Sequence, residues 1–232
     1  MSKKNAEIRQ IAKRAIEAEY RAIRNLKSHI DNSFAHAVNR LLACRGRVVI
    51  TGIGKSAIIA SKIVATFNST GTPAIFMHAG DAIHGDLGII QREDVIMAIS
   101  NSGNTPEIKA LVPMLKSLGA CLIGMAGNMQ SYLAAQADIV LNTTVEAEAS
   151  PGNPAPTSST TAQLVMGDAL AVALIECRGF SLDDFGRYHP GGALGKQLYL
   201  KAANLYPDND RPEGEKTAGI REIILEISGK RL

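Results

Sequence analysis

The sequence predicts an α/β fold on a doubly wound parallel sheet, and two observations predict it. Five short β-rich runs are strung along the middle of the chain with helical segments between them. Most of these runs are apolar throughout rather than alternating, which is how strands read when helices cover both faces of a parallel sheet.

Before the first run, Ile8, Ile11, Ala15, Ala18, Ala22 and Leu26 recur at helical spacing, followed by Phe34, Val38, Leu41 and Leu42. Two amphipathic helices are therefore expected at the N-terminus. The strand runs are "RVVITGI" (Arg47 to Ile53), "PAIFMH" (Pro73 to His78), "DVIMAIS" (Asp94 to Ser100), "CLIGMAG" (Cys121 to Gly127) and "DIVLNTT" (Asp138 to Thr144). Helices "KSAIIASKIVATFNS" and "PEIKALVPMLKSLG" lie between them, the second closed by Gly119 as its C′ residue. Strand, helix, strand implies right-handed crossovers. After a Pro-rich loop, "ASPGNPAPTSSTT", comes a helix from about Thr160 to Arg178 that is apolar on nearly all sides and belongs in a core or subunit interface. Beyond "RYHPGGALGKQL" the composition turns polar. The expected organisation is N-terminal helices over 1–45, one α/β domain over 46–200, and a polar linker with a tail over 201–232.

Composition narrows the function. With 46% hydrophobic residues the chain can bury a sizeable core. A formal charge of +3 and 4% aromatics give little support to nucleic-acid binding, which wants a concentrated basic face or stacking rings. Cys44, Cys121 and Cys177 are odd in number and set among apolar residues, so they read as buried free thiols in a reducing compartment. The charged N-terminus is no signal peptide. The most apolar segment, "AQLVMGDALAVALIE", is interrupted by Asp168 and is shorter than the ~20 apolar residues a bilayer span needs. A cytoplasmic protein without membrane contact is expected.

In an open α/β sheet ligands bind beyond the carboxyl ends of the strands. Gly54, Lys55 and Ser56 follow the first strand; the second ends at His78, with Asp81, His84 and Asp86 behind it; "SNSGNTPE" follows the third; Glu146 and Glu148 follow the fifth. Each has a plainer explanation. Lys55 could be a solvated lysine at a helix start, although a cation there opposes the helix dipole. His78 and His84, six apart, lack an evident metal-site logic and are read first as structural. Glu107 could complete a capping box begun by Asn104, and Glu148 could be a surface carboxylate. A base, an acid and two histidines on one rim outweigh those separate readings.

"SNSGNTPE" has its own logic. A helix N-terminus offers unpaired N–H groups and partial positive charge, and Ser100, Ser102 and Thr105 add donors without adding charge. Such a loop suits a phosphomonoester. Two glycine motifs compete with that reading. "GIGKS" resembles the end of a P-loop, but Val49 stands where its first glycine belongs. "GIGKSA" fits the dinucleotide fingerprint, but the second strand ends in Met77 and His78 where a ribose-binding carboxylate is expected.

"SNSGNTPE" resembles the phosphate loop of the sugar isomerase (SIS) domain family, and "GIGKS", "HGDLG", "PTSSTT", "MGDALAVAL" and "HPGGALG" together place the resemblance nearest its bacterial arabinose-5-phosphate isomerase branch. The similarity runs from about Val48 to Leu200. It implies a three-layer αβα sandwich with a five-stranded parallel sheet. The implied enzyme is an aldose–ketose isomerase interconverting D-ribulose 5-phosphate and D-arabinose 5-phosphate through an enediol, ahead of 3-deoxy-D-manno-octulosonate and lipopolysaccharide synthesis. A sugar-phosphate sensor, or an isomerase of another sugar phosphate, is the alternative. By the same resemblance Lys55, Glu107, Glu148 and His189 are catalytic, and His84, Gly71 and Thr72 touch substrate with Ser100, Ser102, Thr105, Gly54 and Ser56. His78 falls at an inhibitory zinc ligand, and no cofactor is required. The resemblance implies a homotetramer with shared active sites, and "KTAGIREIILEIS" is similar to the opening of a CBS domain.

Overall fold

The computed structural model describes residues 2–150, 152, 155–192, 219–222 and 224. The chain divides into two compact units, Met1–Phe180 and Ser181–Leu232, each taken by itself below. The expected linker "YPDNDRPEGEK" lies outside the described residues.

The first unit opens with α1 (Ser2–Leu26), a short 3-10 turn (Lys27–His29) and α2 (Asn32–Leu42), as the periodicity predicts. Asp31 caps α2, its carboxylate accepting from the Ser33 and Phe34 N–H groups. The anticipated apolar stripe of α1 is only half used. Ala22 and Leu26 are buried, whereas Ile8 and Ile11 stand more than half exposed, because the N-terminal half of this helix has little of its own chain to lie against.

Five strands follow: β1 (Val48–Gly52), β2 (Ala74–His78), β3 (Val95–Ser100), β4 (Cys121–Ala126) and β5 (Ile139–Asn142). All pair in parallel, in the order β2-β1-β3-β4-β5. The crossover helices are α3 (Lys55–Ser69) after β1 and α5 (Pro106–Ser117) after β3; shorter helices α4 (Ala79–Ala82) and α6 (Tyr132–Gln136) lie after β2 and β4. The last long helix, α7 (Ser158–Arg178), begins two residues earlier than its apolar pattern does. The sandwich is three-layered. One core holds Ile50, Met97 and Ile123 against Ile63, Phe67, Met166 and Leu170, and the other holds Ile96, Ala98 and Leu122 against Ile108, Leu111 and Leu115. Truncating Leu170 to Ala in such a layer costs about 2–5 kcal/mol.

By length and composition alone the 21 residues of α7 would pass for a membrane span. Packing says otherwise. The helix lies against α3, α1 and α2, and Ala162, Met166, Leu170 and Leu174 bury one face of it.

Gly119, at φ +73°, takes the left-handed position after α5 that the sequence assigns it. The cysteines are free as expected, but only Cys44 and Cys121 are half-buried; Cys177 is exposed, a correction to the buried reading of all three. It sits beside Arg178 at the open C-terminal end of α7, where the core no longer covers the helix. Burial pushes the Cys121 thiol up, against the lowering effect of Arg40, which keeps it protonated.

Candidate functional site

In this strand order the chain reverses direction across the sheet between β1 and β3, the place where open α/β sheets leave a crevice at their carboxyl ends. A cleft of about 240 Å³ opens there. Its walls come from three chain segments: Ile53, Lys55 and Ser56 after β1, Ser100 to Ser102 with Thr105 after β3, and Ser159, Thr160 and Gln163 from the start of α7. Among the described residues no carboxylate borders it, and Lys55 is its one charged side chain. Donors and a cation without a counter-charge among the described residues suit an anion.

Local backbone needs explain the glycines. Gly52 carries the end of β1 so close to the first turn of α3 and to Ile99 that a Cβ would lie 3.1–3.2 Å from their backbone atoms. Gly103 has φ +62°, and a Cβ on it would meet Ser131 Oγ at 2.1 Å. Any side chain there is blocked both by conformation and by the neighbouring loop.

The loop after β3 is folded on itself. Ser100 Oγ accepts from Gly103 N at 3.0 Å, and Ser102 Oγ accepts from Asn104 N at 3.3 Å. Each hydroxyl thus commits a lone pair to the loop and keeps its proton to donate. The loop is also braced from behind: Asn104 Oδ1 accepts from Tyr132 N at 3.0 Å, and Gly103 O accepts from Leu133 N.

At its end α5 starts uncapped. Thr105 is the N-cap residue and Pro106 follows it in the first turn, but no side chain among the described residues bonds the first amides. Thr105 Oγ1 is buried without a partner among the described residues. The capping box expected from Asn104 and Glu107 is therefore not formed. Proline fits the first helical position and pushes the residue before it into the extended region, which makes Thr105 the cap. Glu107 sits half-buried one residue into the helix, with no hydrogen bond among the described residues.

α7 starts differently. Its first amides are taken by Glu148, whose Oε2 accepts from Thr157 N at 2.7 Å, Thr157 Oγ1 at 3.0 Å and Ser159 N at 3.2 Å. Burial alone would raise this carboxyl; hydrogen bonding from Ser159 and Thr157 outweighs it and holds the group below its ordinary value. Glu148 faces a second hollow, of about 520 Å³, shared with Ile11, Arg14 and Glu19 of α1, and does not border the first cleft.

The remaining predicted residues scatter. Gly54, at φ +59°, turns the chain into α3 just before Lys55, which is exposed. His84 is exposed beyond α4. His78 ends β2 with Asp81 Oδ2 3.5 Å from its Nδ1, and among the described residues no three His, Cys, Asp or Glu side chains are grouped to hold a metal. Gly71 and Thr72 precede β2, so within one chain they lie at the amino end of the sheet, opposite the cleft. There Arg178 donates to Thr72 Oγ1 and to Gly71 O, and Thr72 is 2% exposed.

In the second unit, α8 (Leu182–Tyr188) starts at a capping box in which Ser181 and Asp184 exchange hydrogen bonds. Hydrogen bonds from Ser181 lower the Asp184 carboxyl. His189 ends this helix, stacked on Phe185 with ring centroids 3.9 Å apart, its Nδ1 2.9 Å from Phe185 O. A carbonyl oxygen only accepts, so Nδ1 carries the hydrogen of this contact.

Ser159, Thr160 and Gln163 are cleft residues that the residue-level reading missed. Their signal was present: polar side chains opening an otherwise apolar helix.

Comparison with known proteins gives a consistent picture. The SIS domain profile matches residues 41–173. The chain is 46% identical over 227 residues to arabinose 5-phosphate isomerase KdsD of Escherichia coli K12, covering 97% of this chain and 69% of that one. It is 50% identical over 222 residues to the protein of the same description from Pseudomonas aeruginosa, covering 95% and 68%. Among solved structures it is similar to a protein of E. coli CFT073 held in complex with arabinose 5-phosphate, with a TM-score of 0.78 and 42% identity over 80% of this chain and 99% of that one.

Proposed function

From the premise that this chain belongs to the SIS domain family, we propose that it is an arabinose-5-phosphate isomerase, interconverting D-arabinose 5-phosphate and D-ribulose 5-phosphate. The observation that carries the reading is the cleft at the β1/β3 crevice, lined by Lys55 and by hydroxyl donors with no carboxylate among the described residues. That chemistry suits a phosphomonoester, and relatives matched over nearly the whole chain are named for this reaction.

The phosphate sits on the loop hydroxyls of Ser100, Ser102 and Thr105, with Gly54 and Ser56 beside it and the free amides of α5 beneath. In the aldose-to-ketose direction a base takes the C2 proton and negative charge develops on O1. Transfer of the O2 proton to O1 and return of a proton to C1 complete the ketose. Glu148 is the base in this scheme; its cap bonds keep it ionised, and also make it a weaker base than a carboxylate tuned upward. Lys55 stabilises the oxyanion. His189, held through Nδ1 by Phe185 O, carries protons between the sugar oxygens, while Glu107 and His84 orient the hydroxyls.

Gly71 and Thr72 reach a substrate only in a neighbouring copy, since they lie at the far end of their own sheet. A homotetramer with shared sites accommodates them. We further place the enzyme in the cytoplasm, at the head of 3-deoxy-D-manno-octulosonate and lipopolysaccharide synthesis, with no cofactor and with zinc at His78 acting only as an inhibitor. The test is formation of ribulose 5-phosphate from arabinose 5-phosphate, run against glucose 6-phosphate and sedoheptulose 7-phosphate. Turnover of arabinose 5-phosphate alone is the expected result; preference for either rival would reassign the substrate.

A further inference from the structure

Gln163 stands out in the first unit. It is fully buried on α7, one turn beyond the buried Ser159 and beside the apolar Ala162 and Met166. Its Oε1 accepts from Ser56 Oγ at 3.2 Å, which fixes the amide plane. Its Nε2 has no hydrogen-bond partner among the described residues, although the residue borders the cleft. A buried amide donor left unpaired is costly, and such groups in folded proteins normally have a partner. Thr105 Oγ1, from the loop after β3 and bordering the same cleft, is also buried and unpartnered among the described residues. These two groups, an amide and a hydroxyl from separate segments, belong to residues that line a cleft whose one charge among the described residues is Lys55.

We propose that Gln163 is a phosphate-binding residue, its Nε2 donating to a phosphate oxygen of the ligand while Ser56 holds its Oε1. The proposal rests on reading the cleft as the phosphate end of the site. It adds α7 to the phosphate cradle, so the ligand is gripped by a core helix as well as by the loop after β3. Ser56 becomes in part a positioning residue that acts through Gln163.

The experiment uses the whole protein and inorganic phosphate as probe. Phosphate binding is read from the concentration dependence of the melting temperature, and turnover is followed separately with arabinose 5-phosphate. Gln163→Leu keeps the apolar stem and removes the donor; Gln163→Glu puts a carboxylate against the anion. The expected result is phosphate binding weakened about tenfold in the Leu variant, the order of a hydrogen bond to a charged group, and further in the Glu variant. KM for arabinose 5-phosphate should rise in parallel and kcat should change little. Gln163→Asn retains an amide and guards against misfolding: its melting temperature without phosphate should stay near wild type, with binding intermediate. If all three variants bind phosphate within twofold of wild type, a buried water fills the role and the proposal is overturned. It is equally overturned if KM rises while phosphate binding does not weaken, since the contact is then to a sugar hydroxyl. A wild type that binds phosphate but turns over no sugar phosphate would sink the isomerase reading and leave the Gln163 test intact.

Discussion

Two helix starts on the same rim of the sheet invite comparison. Hydroxyl residues crowd both the α5 and the α7 start, and at both the first-turn amides carry a partial positive charge. At α7 the chain's own carboxylate, Glu148, takes those amides. At α5 no side chain among the described residues does, and the cleft lies in front of it. The difference teaches that a helix N-terminus becomes a ligand site when the fold declines to fill it. Hydroxyl content alone does not separate the two.

The largest expected effect breaks the comparison at its filled end. Glu148→Gln removes both the cap charge and the proposed base. General bases contribute about 10²–10⁴, so kcat should fall by at least about a hundredfold; a fall of less than about threefold would leave Glu148 as a cap only. Lys55→Met comes next, with kcat down about 10²-fold if it stabilises the oxyanion. Lys55 is exposed, so the melting curve should not move, and a shifted curve would argue for a structural role instead.

Filling the open end sharpens the comparison further. Thr105→Asp supplies α5 with a capping carboxylate. Stability should rise by about 1 kcal/mol, while KM for the sugar phosphate rises about tenfold as the cap displaces the anion. Opposite movement of the two quantities is the signature; a variant that binds normally would show that α5 does not hold the phosphate.

The smallest effect is in pH. The folded Glu148 carboxyl lies below its ordinary value, so the unfolded chain binds that proton more readily. The stability this adds is fully present above the ordinary carboxylate range and is lost as pH falls through the folded value. The gap in denaturant midpoint between wild type and Glu148→Gln should therefore be widest at neutral pH and close in acid. A gap that widened in acid would contradict the cap.

The strands were legible in the sequence almost residue for residue: "VIMAIS" is β3 to its last serine. The central strands β1, β3 and β4 are covered on both faces, a position that continuous apolar character suits. Short helices such as α6 and α8 were not legible, because five or seven residues are too few to show a period. The hydroxyl-rich loop after β3 was readable because its chemistry is local. Gln163 was not, because what distinguishes it is an amide nitrogen unpaired among the described residues, on a side chain brought beside Ser56 from 107 residues away. The Thr105 cap could have been read from Pro106, whose fixed backbone starts a helix and leaves Asn104 too far back to cap it.

The self-bonded loop after β3 has a consequence in time. Its hydroxyl oxygens already accept from its own amides and its backbone is already braced against the end of β4 and α6 before any sugar arrives. The conformational entropy of arranging this loop is therefore given up once, when the chain folds, and is not lost again at each turnover.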